Sequence, residues 1–142
     1  MKTTLLFLAT LLVLILCSNP VTTATPVTNT MKKERATAKF NQPMKLLGVE
    51  LKGEYLFVHD DTAMVRGESC TLVYKGTVES PDKLVLSFHC IPQSRTKAKH
   101  FVVRSKEALD GVNEIKEIQF AGSTEAHMVS TFPQHHVGVT GF

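Results

Sequence analysis

Two strand-like runs on either side of Ser80 constrain the fold more than any other stretch of the chain. If they form an antiparallel hairpin centred on Ser80, Cys70 faces Cys90 and Leu72 faces Phe88. One register therefore brings two cysteines together and also forms an apolar face, and register is strongly specified wherever one face is buried. The pattern predicts a β-hairpin that holds Cys70 next to Cys90.

The cysteine pair also predicts how the domain is stabilised. The third cysteine, Cys17, lies in an N-terminal apolar segment, so an exported chain that loses this segment keeps Cys70 and Cys90. Facing residues on antiparallel strands have Cβ atoms about 4.5–5.5 Å apart, which is close to disulfide geometry. The chain has no Cys-x-x-Cys motif, the spacing that would favour a redox-active pair. The sequence therefore predicts a structural disulfide between Cys70 and Cys90, formed in an oxidising compartment.

The N-terminus has the features of an export signal. Lys2 precedes an apolar run from Leu5 to Cys17, and small residues up to Ala24 follow it. This run is shorter than the roughly 20 residues that a membrane-spanning helix needs. We expect a signal peptide over residues 1–24 and a secreted or periplasmic protein. Membrane contact would arise only if the leader stays uncleaved and anchors the chain.

Three further segments follow the predicted leader. Residues 25–43 are rich in Thr, Pro, Ala and Lys, which predicts a flexible linker. Residues 44–131 contain about six short strands, spaced about ten residues apart, which is typical of an antiparallel meander. This all-β domain is expected to form a partly closed barrel or a sandwich. Residues 132–142 are expected to be a loosely ordered tail.

Two helical turns and one bulge are expected within the domain. Asp60–Gly67 and Ser105–Gly111 each begin with a capping residue and end with glycine, which predicts one or two short helical turns. Ile115 breaks the alternation of Ile118 and Phe120, which indicates a β-bulge in that strand.

Histidine is the residue type that most suggests a metal site. Four histidines lie within or at the end of predicted strands, so a curled sheet could bring several of them together. Imidazoles suit zinc or copper, and a methionine would be a softer partner for copper. The competing interpretation places these histidines on solvated faces without a metal. The candidate ligands are His59, His89, His100 and His127, with Met64 or Met128 as the softer partner.

The segment from His59 to Glu68 is a second candidate site, because loops between strands often carry function. It contains His59, Asp60, Asp61, Arg66 and Glu68. These residues could form a binding loop, or His59 and an aspartate could act as the general base of a small hydrolase. In the structural alternative, an aspartate caps the turn and Arg66 pairs with Glu68 or an aspartate.

Composition and motifs narrow the function classes. A net charge of +3 and the absence of tryptophan disfavour nucleic-acid binding. The chain has no Gly-x-Ser-x-Gly, His-Glu-x-x-His, phosphate-loop, dinucleotide or haem-attachment motif. We therefore expect a non-catalytic module that binds a protein or small ligand outside the cytoplasm. A histidine-based zinc or copper protein or metalloenzyme and the small hydrolase are the alternatives, and the oligomeric state is left open.

Overall fold

The computed structural model describes residues 31–130. Over this range the protein is all-β, with one sheet of eight strands curled into a half-barrel. The prediction of an all-β domain that forms a partly closed barrel is therefore confirmed. The predicted signal peptide, the first residues of the predicted linker and the predicted tail lie outside the described residues. Between residues 31 and 130, no helix is long and apolar enough to cross a membrane.

The strands are β1 Lys33–Leu46, β2 Val49–Asp60, β3 Thr71–Lys75, β4 Leu84–Phe88, β5 Cys90–Ser94, β6 Val102–Glu107, β7 Asn113–Gln119 and β8 Glu125–Val129. The path of strands through the sheet runs β4-β3-β2-β1-β7-β8-β5, and β6 pairs with β7 beside this path. The β1–β7 pair is parallel, and the other pairs are antiparallel. A short helix, α1, spans Asp61–Val65, and a 3-10 turn spans Pro81–Lys83.

The two ends of the strand path belong to one continuous stretch of chain. The path starts at β4 and ends at β5, and these strands are separated in sequence only by His89. The chain therefore passes directly from one end of the curled sheet to the other. We call this boundary between β4 and β5 the seam of the half-barrel.

The long β1–β2 hairpin forms one half of the wall. It turns at Leu47 and Gly48, which have φ values of 50° and 81°. Two consecutive positive φ values are characteristic of a type I′ turn, whose twist matches that of the flanking strands. The register shifts between Phe40 and Met44, around Pro43, whose ring leaves no N–H to donate.

Part of the linker prediction was wrong, because residues 33–43 belong to β1. Ala36, Ala38 and Phe40 alternate with exposed residues and pack against the core. This period of two is the signal of a half-buried strand. The small alanines and the many polar neighbours gave the segment the composition of a linker, although its pattern is that of a strand.

The β3–β4 hairpin forms, but its predicted register was wrong by one residue. Thr71, rather than Leu72, lies opposite Phe88. Cys70 precedes β3, and Cys90 begins β5, which pairs with β8. The prediction assumed one uninterrupted hairpin, whereas a 3-10 turn lies in the connection, a bulge lies within the β3–β4 pairing and the chain passes from β4 to β5 at the seam.

One of the two predicted helical turns forms. Asp60 caps α1 as expected, but Ser105 lies in β6 instead of starting a helix. The β6–β7 pairing continues as far as Glu107 and Asn113. Strand pairing therefore determines the conformation of this segment in place of its helical propensity. Only the last residues before Gly111 form a turn.

The predicted bulge in β7 is present and determines which residues enter the core. Arg104 pairs with Glu117 and Ser105 with Ile115, which leaves one extra residue between them on β7. This irregularity lets Ile115 and Ile118 both point inward despite their uneven spacing.

Aromatic and aliphatic side chains fill the interior of the half-barrel. Each large apolar side chain that is removed from water contributes about 1.5–3 kcal/mol before entropic costs. The two cysteines belong to the same cluster. The buried members are Leu46, Leu51, Tyr55, Phe57, Cys70, Val73, Phe88, Cys90, Ile115, Ile118 and Phe120.

Candidate metal centre

Four side chains with metal-binding chemistry meet at one end of the interior. His59 lies near the end of β2, Cys70 directly precedes β3, Cys90 begins β5 and His127 lies in β8. All four residues are buried, and none is more than 9% exposed. Because β2 and β3 lie towards one end of the strand path and β8 and β5 at the other, the group lies across the seam. We call His59, Cys70, Cys90 and His127 the metal centre.

Strand alternation directs the two histidines inward. His59 follows Tyr55 and Phe57 on the inward-facing side of β2, and it pairs in register with Thr71 of β3. His127 pairs with Ile118 of β7, which is a buried member of the core. Side chains at paired positions of neighbouring strands point to the same face of a sheet. Both imidazoles therefore point into the half-barrel.

The donor atoms lie close together. The Cys70 and Cys90 sulfurs are 3.1 Å apart, and the Cys90 sulfur lies 3.4 Å from Nδ1 of His127. The His59 and His127 ring centroids are 3.9 Å apart. One donor atom each from His59, Cys90 and His127 fall within 4.8 Å of one another. A tetrahedral ion with ligands at 2.0–2.3 Å needs donor separations of about 3.3–3.8 Å, which the donors of these three residues approach. The Cys70 sulfur lies outside this group of three and adjoins it through its 3.1 Å contact with the Cys90 sulfur.

Three of the four imidazole nitrogens lack a hydrogen-bond partner, and the fourth, Nδ1 of His127, lies 3.4 Å from the Cys90 sulfur. Neither ring nitrogen of His59 nor Nε2 of His127 has a hydrogen-bond partner, and the hydroxyl of Thr71 is also unpaired. Buried polar groups are normally hydrogen-bonded, and each one that is not costs about 1–3 kcal/mol. A bound ion would supply the partner that these imidazole nitrogens lack.

Carboxylates lie just outside the four donors. Asp61 Oδ1 is 3.5 Å from Nδ1 of His59, and Glu34 Oε2 is 3.7 Å from Nε2 of His127. Glu125 Oε1 is 3.9 Å from Nδ1 of His127. These distances exceed hydrogen-bond length, but carboxylates in such outer positions commonly orient metal-binding imidazoles.

The pKa shifts of Cys70 and His127 favour the protonation states that bind metals, whereas the shift of Cys90 favours its neutral thiol. The neighbouring Cys90 thiol and His59 lower the pKa of Cys70, although burial opposes this shift. Proximity to Cys70 and burial raise the pKa of Cys90. Burial and the charge of His59 lower the pKa of His127 to about 4, so this imidazole is neutral at pH 7. Metals bind thiolates and neutral imidazoles, so Cys70 and His127 need little further deprotonation.

His59 shows the opposite pKa shift. Burial alone lowers its pKa, but the Cys70 sulfur and the carboxylates of Asp61 and Glu34 outweigh burial, and the pKa is raised. The shift records the negative charge that surrounds this imidazole. A bound cation would meet the same field.

The structure brings some of the predicted histidines together and separates others. His59 and His127 stack in the metal centre, whereas His89 at the seam and His100 in the loop before β6 are exposed. The side chains of Met64 and Met128 are also partly exposed. The sequence analysis therefore proposed two of these four residues as metal ligands and assigned the other two, the cysteines, to a disulfide.

The predicted disulfide is not formed in this structure, although the two sulfurs meet. Cys70 and Cys90 are both free and buried. Their separation of 3.1 Å is longer than the roughly 2.05 Å of a disulfide bond. The two thiols are therefore available as ligands.

The exposed part of the predicted binding loop has local structural roles. Asp60 Oδ1 accepts hydrogen bonds from the backbone N–H groups of Thr62 and Ala63, at 2.9 and 3.4 Å, and so caps α1. Arg66 donates to both carboxylate oxygens of Glu68, at 2.9 and 2.7 Å. These contacts match the structural interpretation of the loop.

Cys70, His59 and Asp61 also have the residue types of a thiol hydrolase. A nucleophilic sulfur, a base and an orienting carboxylate would require a substrate carbonyl to reach the sulfur. Cys70 is 0% exposed. This burial favours a small ion over an ester or amide as the species that reaches the sulfur.

Glu34 is a residue of the candidate site that the sequence pattern did not single out. It lies within the predicted linker, and in the structure it faces His59 across the β1–β2 pair. The sequence does contain an indication of its position. Glu34 belongs to the same alternating series as Ala36, Ala38 and Phe40, and this series lies on the inward face of β1.

No family model, curated protein or solved structure matches this chain. The geometry of the metal centre is therefore the main indication of function.

Proposed function

We propose that the protein is a non-catalytic metal-binding β domain that holds one Zn²⁺ or Cu⁺ ion at the metal centre. The observation that carries this proposal is the convergence of two buried imidazoles and two buried thiols, with three ring nitrogens that lack partners. Two sulfurs and two nitrogens form a donor set that suits Zn²⁺ and soft Cu⁺.

The four donors support a binding role rather than catalysis. Structural zinc sites use four protein ligands, whereas catalytic sites keep a position open for water or substrate. The metal centre has three clustered donors, the Cys70 sulfur lies 3.1 Å from the Cys90 sulfur, and all four residues are buried. With Cys70 as the fourth ligand, the coordinated ion would have no free position at which to bind a substrate.

The predicted signal peptide adds a location to the proposal. We propose that the domain acts after export, outside the cytoplasm. In an oxidising compartment, metal binding and disulfide formation compete for the two thiols. The 3.1 Å separation of the sulfurs therefore supports a second candidate, a disulfide-stapled module that binds a protein or small ligand.

Metal titration of the full chain under reducing, oxygen-free conditions tests the first proposal. We expect one ion per chain, measured by competition with a chromophoric chelator and by elemental analysis. At a free metal concentration of about 1,000 times the dissociation constant, binding should raise the free energy of unfolding by about 4 kcal/mol. A protein that binds neither ion under these conditions would overturn the proposal.

Matched variants separate the metal centre from surface histidines. His127→Leu and Cys90→Ser each remove one donor, and we expect each to weaken binding by at least about 100-fold because metal-site affinity depends on the full ligand set. His89→Leu removes an exposed histidine that directly precedes Cys90 and should leave the affinity unchanged. Alkylation mass spectrometry of protein recovered from its native location distinguishes the second candidate, which requires a Cys70–Cys90 disulfide.

A further inference from the structure

We propose that the ion is monovalent copper and that it reaches the metal centre through a pocket lined by methionines and carboxylates. This inference rests on the proposed function and names its ion and its route. The pocket has a volume of about 170 Å³ and is lined by Met31, Asp61, Met64, Val65 and Glu125. We call it the mouth pocket.

Two residues join the mouth pocket to the metal centre. Asp61 lines the pocket, and its Oδ1 atom lies 3.5 Å from Nδ1 of His59. Glu125 lines the pocket, and its Oε1 atom lies 3.9 Å from Nδ1 of His127. Both imidazoles are 1% exposed. The pocket adjoins Nδ1 of His59, which has no hydrogen-bond partner, and Nδ1 of His127, which lies 3.4 Å from the Cys90 sulfur. It therefore reaches one unsatisfied donor and one donor that already contacts a thiol.

Backbone contacts place the two methionines at the pocket. Asp61 Oδ2 accepts a hydrogen bond from the Lys32 backbone N–H at 2.9 Å, and the Asp61 N–H donates to the Lys32 carbonyl at 3.0 Å. This reciprocal pair fixes the chain beside α1, and so it positions Met31. Met64 projects from α1, which Asp60 caps.

The ligand types along this route favour Cu⁺. Thioether sulfur is a soft ligand that binds Cu⁺ and contributes little to Zn²⁺ binding. Met31 and Met64 are 53% and 41% exposed, so their sulfurs can meet an ion that arrives from solvent. The carboxylates of Asp61 and Glu125 attract the cation towards the imidazoles. The thiols and imidazoles inside then form a stronger donor set than the thioethers.

Transfer along the route is a ligand exchange without a change of oxidation state. The Cu⁺ ion leaves a methionine sulfur and binds a cysteine sulfur and an imidazole nitrogen. Any thiol that becomes a thiolate releases its proton to solvent. No oxidant or reductant takes part in the step.

Stopped-flow uptake of Cu⁺ tests the route with the full chain. The ion is supplied from a chromophoric Cu⁺ chelator under oxygen-free, reducing conditions, and Zn²⁺ uptake is followed in parallel from a zinc chelator. In the Met31→Leu/Met64→Leu double variant we expect Cu⁺ uptake to be slowed about tenfold or more, a change of the size that outer residues of metal sites produce. The equilibrium affinity for Cu⁺ and the rate of Zn²⁺ uptake should each stay within about twofold of the wild type.

Met128→Leu is the matched control. Met128 is 36% exposed and lies next to His127 in sequence, but it does not line the mouth pocket. This variant should take up Cu⁺ at the wild-type rate.

The identity of the ion is tested separately with the wild-type chain. In an equilibrium competition between the two ions, Cu⁺ should displace Zn²⁺.

The outcomes separate this inference from the proposed function. Unchanged Cu⁺ uptake in the double variant, or equal slowing of both ions, overturns the methionine route, while metal binding itself stands. Failure of Cu⁺ to displace Zn²⁺ overturns the assignment of the ion. A wild-type chain that binds neither ion overturns the proposed function, and the inference falls with it.

Discussion

Two groups of polar side chains, each built around buried residues, lie on opposite faces of the β7–β8 wall, and they differ in how well their hydrogen bonds are satisfied. On the outer face, the Glu117 carboxylate accepts hydrogen bonds from Arg95 at 2.7 and 3.2 Å and from Arg104 at 2.6 Å. The Gln119 amide donates to two backbone carbonyls, at 2.8 and 3.0 Å. We call Arg95, Arg104, Glu117 and Gln119 the outer polar cluster.

On the inner face, the polar atoms of the metal centre remain partly unpaired. Ile118, which lies between Glu117 and Gln119 on β7, points into the core and pairs with His127. His127 Nε2 and both nitrogens of His59 lack hydrogen-bond partners. The same two strands thus carry a satisfied cluster on one face and an unsatisfied one on the other.

The contrast distinguishes polar side chains that stabilise the fold from polar side chains that are placed to bind a ligand. A buried polar network that is fully paired adds specificity and rigidity to a fold, whereas one that is partly paired is costly. The outer polar cluster secures the loop between β5 and β6 against the wall through Arg95 and Gln119. The metal centre does not obtain comparable pairing from the protein, so its residues are better explained by a ligand.

The largest effect on the stability of the metal-free protein is expected in the outer polar cluster. Glu117→Ala removes a carboxylate whose side chain is 7% exposed and leaves two arginines without their partner. The free energy of unfolding should fall by about 2–3 kcal/mol, measured by urea denaturation in the presence of a metal chelator. Glu114→Ala on the same strand breaks the more exposed pair with Lys116 and should cost less than about 1 kcal/mol. Equal losses in both variants would contradict the structural role of the outer cluster.

A smaller effect is expected in the pH dependence of stability. Hydrogen bonding from Arg95, with a further contribution from Arg104, lowers the pKa of Glu117 despite its burial. In the unfolded chain this carboxyl has a pKa of about 4.3. Its contribution to stability is therefore complete above that pH and is lost as the pH falls through the lower folded pKa.

Glu117→Gln tests this linkage. The variant should be less stable than the wild type at pH 7, and the difference between the two should shrink as the pH is lowered below about 4. Denaturation curves recorded with a chelator between neutral and acidic pH measure this difference. A difference that stays constant over the range would show that the Glu117 charge is not responsible.

The smallest effect is expected in the metal-free metal centre. His127→Leu replaces a buried imidazole that has an unpaired nitrogen by an apolar side chain of similar volume. The free energy of unfolding should stay within about 1 kcal/mol of the wild type or rise, measured with chelator and reductant present. A loss of more than about 2 kcal/mol would mean that His127 has a structural role like that of Glu117, and it would remove the contrast between the two clusters.

The strands could be predicted largely because their signals are local. Alternation along β2 and the uneven spacing of Ile115 and Ile118 are visible in the sequence, and they indicate a strand and a bulge respectively. The hairpin register was wrong by one residue, because a bulge, a 3-10 turn and the seam alter the pairing without a clear sequence signal. The linker prediction failed for residues 33–43, because composition was given more weight than alternation.

The metal centre could be predicted only in part, because it depends on the closure of the sheet. His59 and His127 are far apart in sequence, and their meeting requires β2 and β8 to approach across the interior. The oxidising context and the facing positions of Cys70 and Cys90 favoured a disulfide over a ligand pair. Only the combination of four donors in space indicates the alternative, and no local spacing encodes it.

The position of the metal centre across the seam has a mechanical consequence. An ion coordinated there would cross-link β2 and β3 to β5 and β8, at the boundary where β4 passes into β5. Local opening of these strands would then require the release of a ligand, so their amide protons should exchange with deuterium more slowly in the metal-loaded protein. Coordination bonds would thus complete a barrel that the hydrogen-bonded sheet leaves half closed.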